Sequence, residues 1–559
     1  MAQVNSWKST GREAPAFSVF NSMVACYSVA GLLMFYLVCC HINPDGIAYL
    51  TIAKNYANGN WHAAINAYWS PLLSWILSPF SFIPVELLFF YYALNFFLGL
   101  AGLFVFRQLM RQLEFGKPVQ VLLIPVFTGF MLLFAFRFMT PDLMVVVLLL
   151  MFLRFWLKTD ALDRPLITSL WLLVLYFAKP YNFIFGAGLL AYDLLARFRQ
   201  KKGSKAFQNF LLIFVYFLLL ASPWLIAIHW KYGEWMLSGA GGFNHGAALV
   251  NLGFLGLDIP GMESIKDSYA FMFRFGVQPH EYSVFAWEDP VLMADYNDYN
   301  ILGSVDNFLL QLRVIWVNFR YLLSFKDVLL SISFAGLLLA GLKAILYGKK
   351  QFRNGGWAAI RLNDIPYRLF FFGSLYLLGY MLLFLENRYL WINLIVGLIA
   401  AGLLIEDYFG QAQARASGKS TLKWWFMIGL VLGAVSFYTF LFRTFSVMLE
   451  KMEPAGYKEY ALGREIKSLV KQENRIAAHW PYVREYSLFS SWFTTYFAGG
   501  KHFNCLPDDE DAANNLINKH RINIVFVPEG KPLPGNLVVS KWVKLDDAIP
   551  EMDVYLRPQ

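Results

Sequence analysis

The chain has 559 residues, of which 58% are hydrophobic, 18% aromatic and only 15% charged, and its mean hydropathy is +0.46. Soluble domains carry about 25% charged residues, so this composition excludes an ordinary soluble enzyme and predicts a polytopic membrane protein. The net charge of +9 is not a nucleic-acid footprint, because the basic residues sit in short loops between apolar runs, as membrane orientation requires.

Apolar runs long enough to span occur at 17–40, 85–106, 118–136, 142–157, 165–178, 182–196, 207–230, 321–347, 366–384, 389–405 and 424–446. They predict about eleven transmembrane helices, each needing ~20 residues, fewer where the bilayer thins. The first run is too long for a signal-peptide core and lacks a small-residue cleavage site, so it reads as an uncleaved anchor. The stretch 70–83 is also apolar, but Pro71, Pro79 and Pro84 break it, and it reads as an interfacial or re-entrant piece. Cys26, Cys39, Cys40 and Cys505 form neither a disulfide framework nor a zinc spacing.

Loop charges give the orientation. Alternate loops hold Lys8 and Arg12; Arg107, Arg111 and Lys117; Lys158 and Arg164; a cluster from Arg197 to Lys205; another from Lys343 to Arg361; and Arg415, Lys419 and Lys423. The opposite short loops hold little beyond Lys54, Arg137, Lys179 and Arg388. This bias predicts a cytoplasmic N-terminus over 1–16 and a transmembrane domain over 17–446, with a first outer loop at 41–84 and a long one at 231–320. The odd helix count then places the tail, 447–559, outside as a small extracytoplasmic α/β domain. In it 460–471 and 511–520 read as helices, and 475–479, 522–528, 542–545 and 553–556 as strands. It contains no G-x-G-x-x-G or Walker motif, so nucleotide binding is not indicated.

The first outer loop carries the most informative residue, Asp45. Pro44-Asp45-Gly46 signals a helix start, Tyr49, Ile52, Ala53 and Tyr56 fall at helical spacing, and Asn58-Gly59 ends the helix. A second short piece runs from Ala57 to Trp69. Both read as amphipathic helices lying along the surface, holding Asp45 at the membrane–water boundary. Asp45 and Asp142 each fit an N-cap as well as a chemical role. Arg137 fits a snorkelling cation, Lys179 an interfacial anchor, and Glu386 with Arg388 a local ion pair. Yet ionisable residues near a membrane interior are functional candidates by default. A carboxylate facing a few cations on one side of a membrane suggests chemistry on a lipid-borne anionic substrate. His41, His62, His229, His245 and His280 show no metal spacing. Asp45 and Asp142 are the candidate ligands for a divalent cation, Mg²⁺ or Mn²⁺, a thin site unless substrate phosphate adds ligands.

In order along the chain stand Asp45, the segment from Trp69-Ser70-Pro71 to Trp75, Asp142, Lys179-Pro180, Ser222-Pro223-Trp224, and Glu386-Asn387-Arg388-Tyr389-Leu390 before a late helix. With the α/β tail, this order resembles the GT-C glycosyltransferases, membrane enzymes that use polyprenyl-phosphate sugars. It is similar above all to the group around aminoarabinose transferase, the galacturonic acid transferases of lipopolysaccharide core and the protein O-mannosyltransferases. The likeness runs from about residue 17 to the end. It departs where many relatives carry two adjacent acids, since Gly46 follows Asp45; one proline stands near Trp69 where relatives often have two; and Lys179 precedes Pro rather than Gly-Pro.

The resemblance implies a GT-C-like fold and an inverting glycosyltransferase that moves a hexosyl or pentosyl unit from a polyprenyl-phosphate donor to an acceptor hydroxyl on a glycan, lipid or protein. It implies catalytic roles for Asp45 and Asp142, donor-phosphate contacts for Lys179, Arg137 and Arg388, and sugar or acceptor contacts for Glu386, Tyr389, Tyr49 and Trp69. A multi-pass plasma (inner) membrane protein with a periplasmic or extracellular tail follows. Two rivals fit the same composition. A lipid-linked sugar flippase or transporter favours internal repeats and mid-membrane sites. An O-antigen-type ligase or polymerase uses diphosphate-linked donors.

Overall fold

The computed structural model describes residues 14–200, 203–245, 276–293, 301–324, 327–356, 361–383, 385–414, 456–469, 473–479, 485–507, 509–529, 542–549 and 552–557. The expected span at 424–446 and nearly all of the N-terminal segment 1–16 lie outside them, as do parts of the long loop 231–320.

Apart from 321–347, each of the other predicted apolar runs is mostly helical over its described residues. The bundle is built from α1 (Ala14–Val38), then α2 (Pro44–Ala57), α3 (Trp61–Ala64) and α4 (Pro71–Leu77) in the first loop, then α5 (Leu87–Gln112), α6 (Lys117–Arg137), α7 (Asp142–Lys158), α8 (Pro165–Ala178), α9 (Tyr181–Arg199) and α10 (Gly203–Tyr232). After the long loop come α11 (Val305–Leu323), α12 (Val328–Gly355), α13 (Ile365–Met381) and α14 (Trp391–Ala414). Six of the described helices are long and apolar enough to cross a membrane: Val19–Val38, Leu87–Gln112, Lys117–Arg137, Gly203–Tyr232, Val328–Asn354 and Asn387–Tyr408. The others in the bundle are shorter, less apolar or carry more charge.

Two expectations need correction. The run 321–347 is not one helix. Ser324 caps the end of α11, and the Asp327 carboxylate accepts from Leu330 N–H at 3.1 Å to start α12, so a polar cap divides the apolar run. The helix that carries Asp45 does not lie on the surface either. Most of α2 is buried, on every side, and the piece after Ala57 is a single turn, α3, followed by a bend in which Asn66 Oδ1 accepts from Tyr68 N–H and Trp69 N–H. Other elements cover α2, so its pattern does not show the polar face of an exposed helix.

The cover comes from α4 and the 3₁₀ turn after it, from 286–288 in the long loop, and in smaller part from the C-terminal unit. That unit comprises α15 (Tyr457–Leu469), β1 (Arg475–His479), α16 (Glu485–Ala498), β2 (Lys501–Leu506), α17 (Glu510–His520), β3 (Ile524–Pro528), β4 (Val543–Ile549) and β5 (Met552–Leu556). The strand order is β2-β1-β3-β5-β4, with β1 parallel to both neighbours and β5 antiparallel to β3 and β4. Successive side chains alternate faces. Ile476, Ala478, Ile524 and Phe526 join the core of the bundle, while Ala477, Val525 and Val527 pack with Ala513 and Ile517 on the other side. The unit sits on the end of the bundle that carries α2. His502 N–H donates to the Val284 carbonyl at 2.7 Å, the Lys54 ammonium lies 4.3 Å from the Tyr496 ring centre, and Arg464 pairs with Glu86 at 3.5 Å.

One contact inside the bundle bears on the site. α12 and α14 cross at Gly336 and Gly397, so closely that a Cβ on Gly397 would stand 2.4 Å from the Gly336 Cα. Only glycine permits that approach.

Candidate active site

Four chain segments meet at one end of the bundle. Asn43 caps α2, its side chain accepting from Gly46 N–H at 2.7 Å, and Pro44 occupies the first turn, so Asp45 is not the cap and its carboxylate is free to point outward. Gly46 leaves no room for a second acidic side chain: a Cβ there would lie 2.4 Å from the Met139 sulfur and 2.7 Å from Asn43 Oδ1.

Asp142 opens α7 but is not its cap either; Pro141 holds that position. The turn before it is shaped by the Tyr91 hydroxyl, which accepts from Thr140 N–H and from Asn95 Nδ2, each at 2.8 Å, and lies 2.9 Å from the carbonyl oxygens of Phe138 and Thr140. Lys179 ends α8 in an extended conformation, φ −164°. Pro180 enforces this, since a residue before proline is disfavoured in the helical region. The side chain therefore leaves the helix path at the break between α8 and α9. Glu386 and Arg388 lie at a 3₁₀ turn, Asn387–Leu390, that leads into α14.

These side chains form one network. Arg388 Nη1 donates to Asp45 Oδ2 at 2.9 Å, while its Nε lies 2.5 Å from Glu386 Oε2 and 3.7 Å from Asp142 Oδ2. Lys179 Nζ donates to Asp142 Oδ1 at 3.0 Å, and Thr140 Oγ1 donates to Asp142 Oδ2 at 2.8 Å. The Lys179 ammonium also lies 4.0 Å from the Tyr389 ring centre, and that ring stacks on Tyr380 at 4.7 Å. Asp45 receives a further hydrogen bond on Oδ1 from the Trp287 indole at 3.2 Å. Asp142 is the most enclosed, with its side chain 6% exposed, whereas Asp45 keeps 20%, Lys179 22% and Glu386 37%.

Of the residues expected from sequence, Asp45, Asp142, Lys179, Glu386, Arg388 and Tyr389 come together. Tyr49 and Trp69 form the wall beneath them, both largely buried, with ring centres 5.1 Å apart. Arg137 is one ring away: its guanidinium packs 5.2 Å from Phe138, the ring that Arg388 approaches at 5.7 Å, and the carboxylate it faces is Asp327. Sequence reasoning missed Trp287, Thr140 and Tyr380. Thr140 was visible as the residue before Pro141-Asp142. No local signal marks Trp287, which reaches Asp45 across 242 positions of chain.

The donor set argues against a shared cation at Asp45 and Asp142. All four carboxylate oxygens face protein donors, and a guanidinium already stands between the two groups. A divalent ion between the two carboxylates would have to displace Arg388. Among the described residues no group of three His, Cys, Asp or Glu side chains is placed to hold a metal.

Comparison with protein-family models finds no match, and comparison with curated protein sequences finds none either. Among solved structures the chain is similar to the archaeal oligosaccharyltransferase AglB from Archaeoglobus fulgidus, in complex with an inhibitory peptide and a dolichol-phosphate. The TM-score is 0.51 at 12% identity, over 91% of this chain and 69% of that one. It also matches ArnT from Cupriavidus metallidurans bound to undecaprenyl phosphate, with a TM-score of 0.36 at 12% identity, over 96% and 100% of the two chains. The first likeness is one of fold: this chain is a polytopic α-helical membrane protein of the GT-C fold with a small C-terminal α/β unit.

Proposed function

We propose that the protein is an inverting glycosyltransferase that moves a sugar from a polyprenyl-phosphate donor to an acceptor hydroxyl at the outer face of the membrane. The observation that carries this reading is the Asp45 carboxylate, held between Arg388 and Trp287 yet still partly exposed, beside a second cation, Lys179. The archaeal relative in fold was solved with a dolichol-phosphate, a lipid of the donor's class.

In this reading the acceptor oxygen attacks the anomeric carbon while Asp45 takes the hydroxyl proton. The bond from that carbon to the phosphate oxygen breaks, and the polyprenyl phosphate leaves with the bonding electron pair. A positioned base contributes ~10²–10⁴-fold. Negative charge grows on the departing phosphate, and Lys179 and Arg388 lie where fixed cations stabilise it in a partly dry site. The five charged side chains comprise three carboxylates and two cations. A phosphate must therefore displace a carboxylate, and Glu386, the most exposed, is the one that can swing into water and release Arg388 Nε. Asp142 stays as the anchor that orients both cations. No step requires a metal ion.

The test is release of polyprenyl phosphate in nanodiscs, from a panel of polyprenyl-phosphate sugars with an envelope extract as acceptor. Wild type releases it and Asp45→Asn does not. Full turnover by Asp45→Asn removes Asp45 from the base role. Movement of labelled donor between leaflets without release replaces the transferase with a flippase.

A further inference from the structure

The part of the long loop at 276–293 forms a strap across the site, and its fixings are unusual. Trp287 sends its indole N–H to Asp45, while the carbonyls of Trp287 and Glu288 are gripped from the first loop. Trp69 Nε1 donates to the former at 3.2 Å and Asn66 Nδ2 to the latter at 2.7 Å. Two residues past Trp287, the Asp289 carboxylate is wholly buried. It takes Lys231 Nζ at 2.6 Å, the Tyr232 hydroxyl at 2.9 and 3.0 Å, and lies 3.1 Å from His280 Nε2. The Lys231 and Asp289 side chains both have 0% exposure. Lys231 also donates to the Ile65 carbonyl at 2.5 Å, and Tyr232 accepts from Ala67 N–H at 3.1 Å. Asp289 thus ties together three segments: the end of α10, the strap, and the chain just before Trp69.

A wholly buried ion pair is a poor route to stability, because desolvating both charges offsets much of their attraction, and apolar residues of the same volume often serve as well. What such a pair provides in some proteins is register. Lys231 and Asp289 meet in one geometry, and that geometry fixes where a residue two positions away emerges. On the far side the strap is fixed again, by His502 N–H on the Val284 carbonyl and Val284 N–H on Glu288 Oε1, each at 2.7 Å.

We propose that Asp289 is a positioning residue for the transfer reaction: paired with Lys231 and Tyr232, it sets the strap so that the Trp287 indole locks the Asp45 carboxylate against Arg388, leaving its remaining lone pairs toward the acceptor. This rests on the reading of Asp45 as the base. Without Trp287 the carboxylate is held on one oxygen only and turns about its own side-chain bonds. A base that must be re-oriented at each turnover loses rate while donor binding, at Lys179 and Arg388, is untouched.

The experiment measures release of polyprenyl phosphate, with kcat and donor KM separated, and hydrogen exchange of 276–293, on wild type, Trp287→Phe, Asp289→Asn and the double variant Lys231→Met/Asp289→Leu. Trp287→Phe keeps the ring and loses the donor. It is expected to lower kcat about tenfold or more, with donor KM within about twofold and exchange unchanged. Asp289→Asn is expected to lower kcat to a similar degree and to speed exchange in 276–293. The double variant removes both charges without stranding either, so it keeps the fold even where Asp289→Asn is not recovered, and its kcat falls likewise. Wild-type kcat in Trp287→Phe, or in a double variant whose strap exchanges faster, overturns the proposal. Absence of release from wild type overturns the functional reading itself, whereas release by wild type and Trp287→Phe alike overturns only this inference.

Discussion

Helix α7 carries an arginine–carboxylate cluster at each end, and the two are built to opposite purposes. At its start Asp142 meets Lys179 and Arg388. Near its other end, about 21 Å away along the axis, the Trp156 indole donates to Asp193 Oδ2 at 2.7 Å, Arg368 Nη2 donates to Asp193 Oδ1 at 2.7 Å, and Arg368 Nη1 donates to the Trp156 carbonyl at 2.6 Å. The Asp193 cluster is closed: one carboxylate faces one guanidinium, and their side chains are 3% and 8% exposed. The Asp142 cluster is open: three carboxylates share two cations, and Asp45, Lys179 and Glu386 still reach solvent. Equal charge types thus make a clamp where the ledger balances and water is excluded, and a site where a carboxylate is in excess and an approach remains.

That contrast can be broken by experiment. The largest effects come from neutralising a carboxylate in each cluster. Asp45→Asn is expected to lose ~10²–10⁴-fold in turnover with little change in melting temperature. Asp193→Asn is expected to lose about 3–5 kcal/mol of stability, because it leaves a buried guanidinium uncompensated, with turnover per folded molecule retained. If thermal unfolding and the release assay give the reverse assignment, the two clusters have been read the wrong way round. Next in size is Arg388→Lys, which keeps the charge but cannot reach Asp45 and Glu386 with two separate nitrogens. It should cost about 10²-fold in kcat, while Arg368→Lys shows its effect in stability.

A last effect, read against pH, concerns Glu288, in the strap. Burial pushes its carboxyl up to about 8 from an ordinary value of 4.5, against hydrogen bonds that include Val284 N–H. Between those values the folded chain holds a proton that the unfolded chain has released, so stability falls as pH rises through this window and levels off above it. Glu288→Gln should remove that slope, matching wild type at pH 4.5 and exceeding it at pH 8. Wild-type melting temperatures in detergent that stay flat from pH 5 to 8 would count against it.

Much of this was legible in the chain. The spans follow from apolar runs, and the loop charges already grouped Asp45, Asp142, Lys179 and Arg388. Lys179 was marked by the proline behind it, and the helix at Asp45 by Asn43-Pro44 and Asn58-Gly59. What was not legible depends on tertiary contact. The burial of α2 follows from α4 and the turn after it, from 286–288 in the strap and from α16, which together cover it. β2 and the helix before it went unrecognised because Lys501 to Leu506 mixes polar and apolar residues without a strand's clean alternation, its burial being set on both faces by neighbours. Trp287 and the Lys231–Asp289 pair lie in a loop with no period to read, and nothing local ties them to a residue near the start of the chain.

The crossing of Gly336 and Gly397 has a consequence for how lesions in this protein are to be interpreted. Gly397 lies on the helix that follows Arg388, roughly two and a half turns further along, and any added carbon there must be accommodated by sliding one helix past the other. The turn that carries the guanidinium runs straight into that helix. A single methyl group placed deep in the bundle would therefore look, in a genetic screen, like damage to the active site, although every side chain in it was intact.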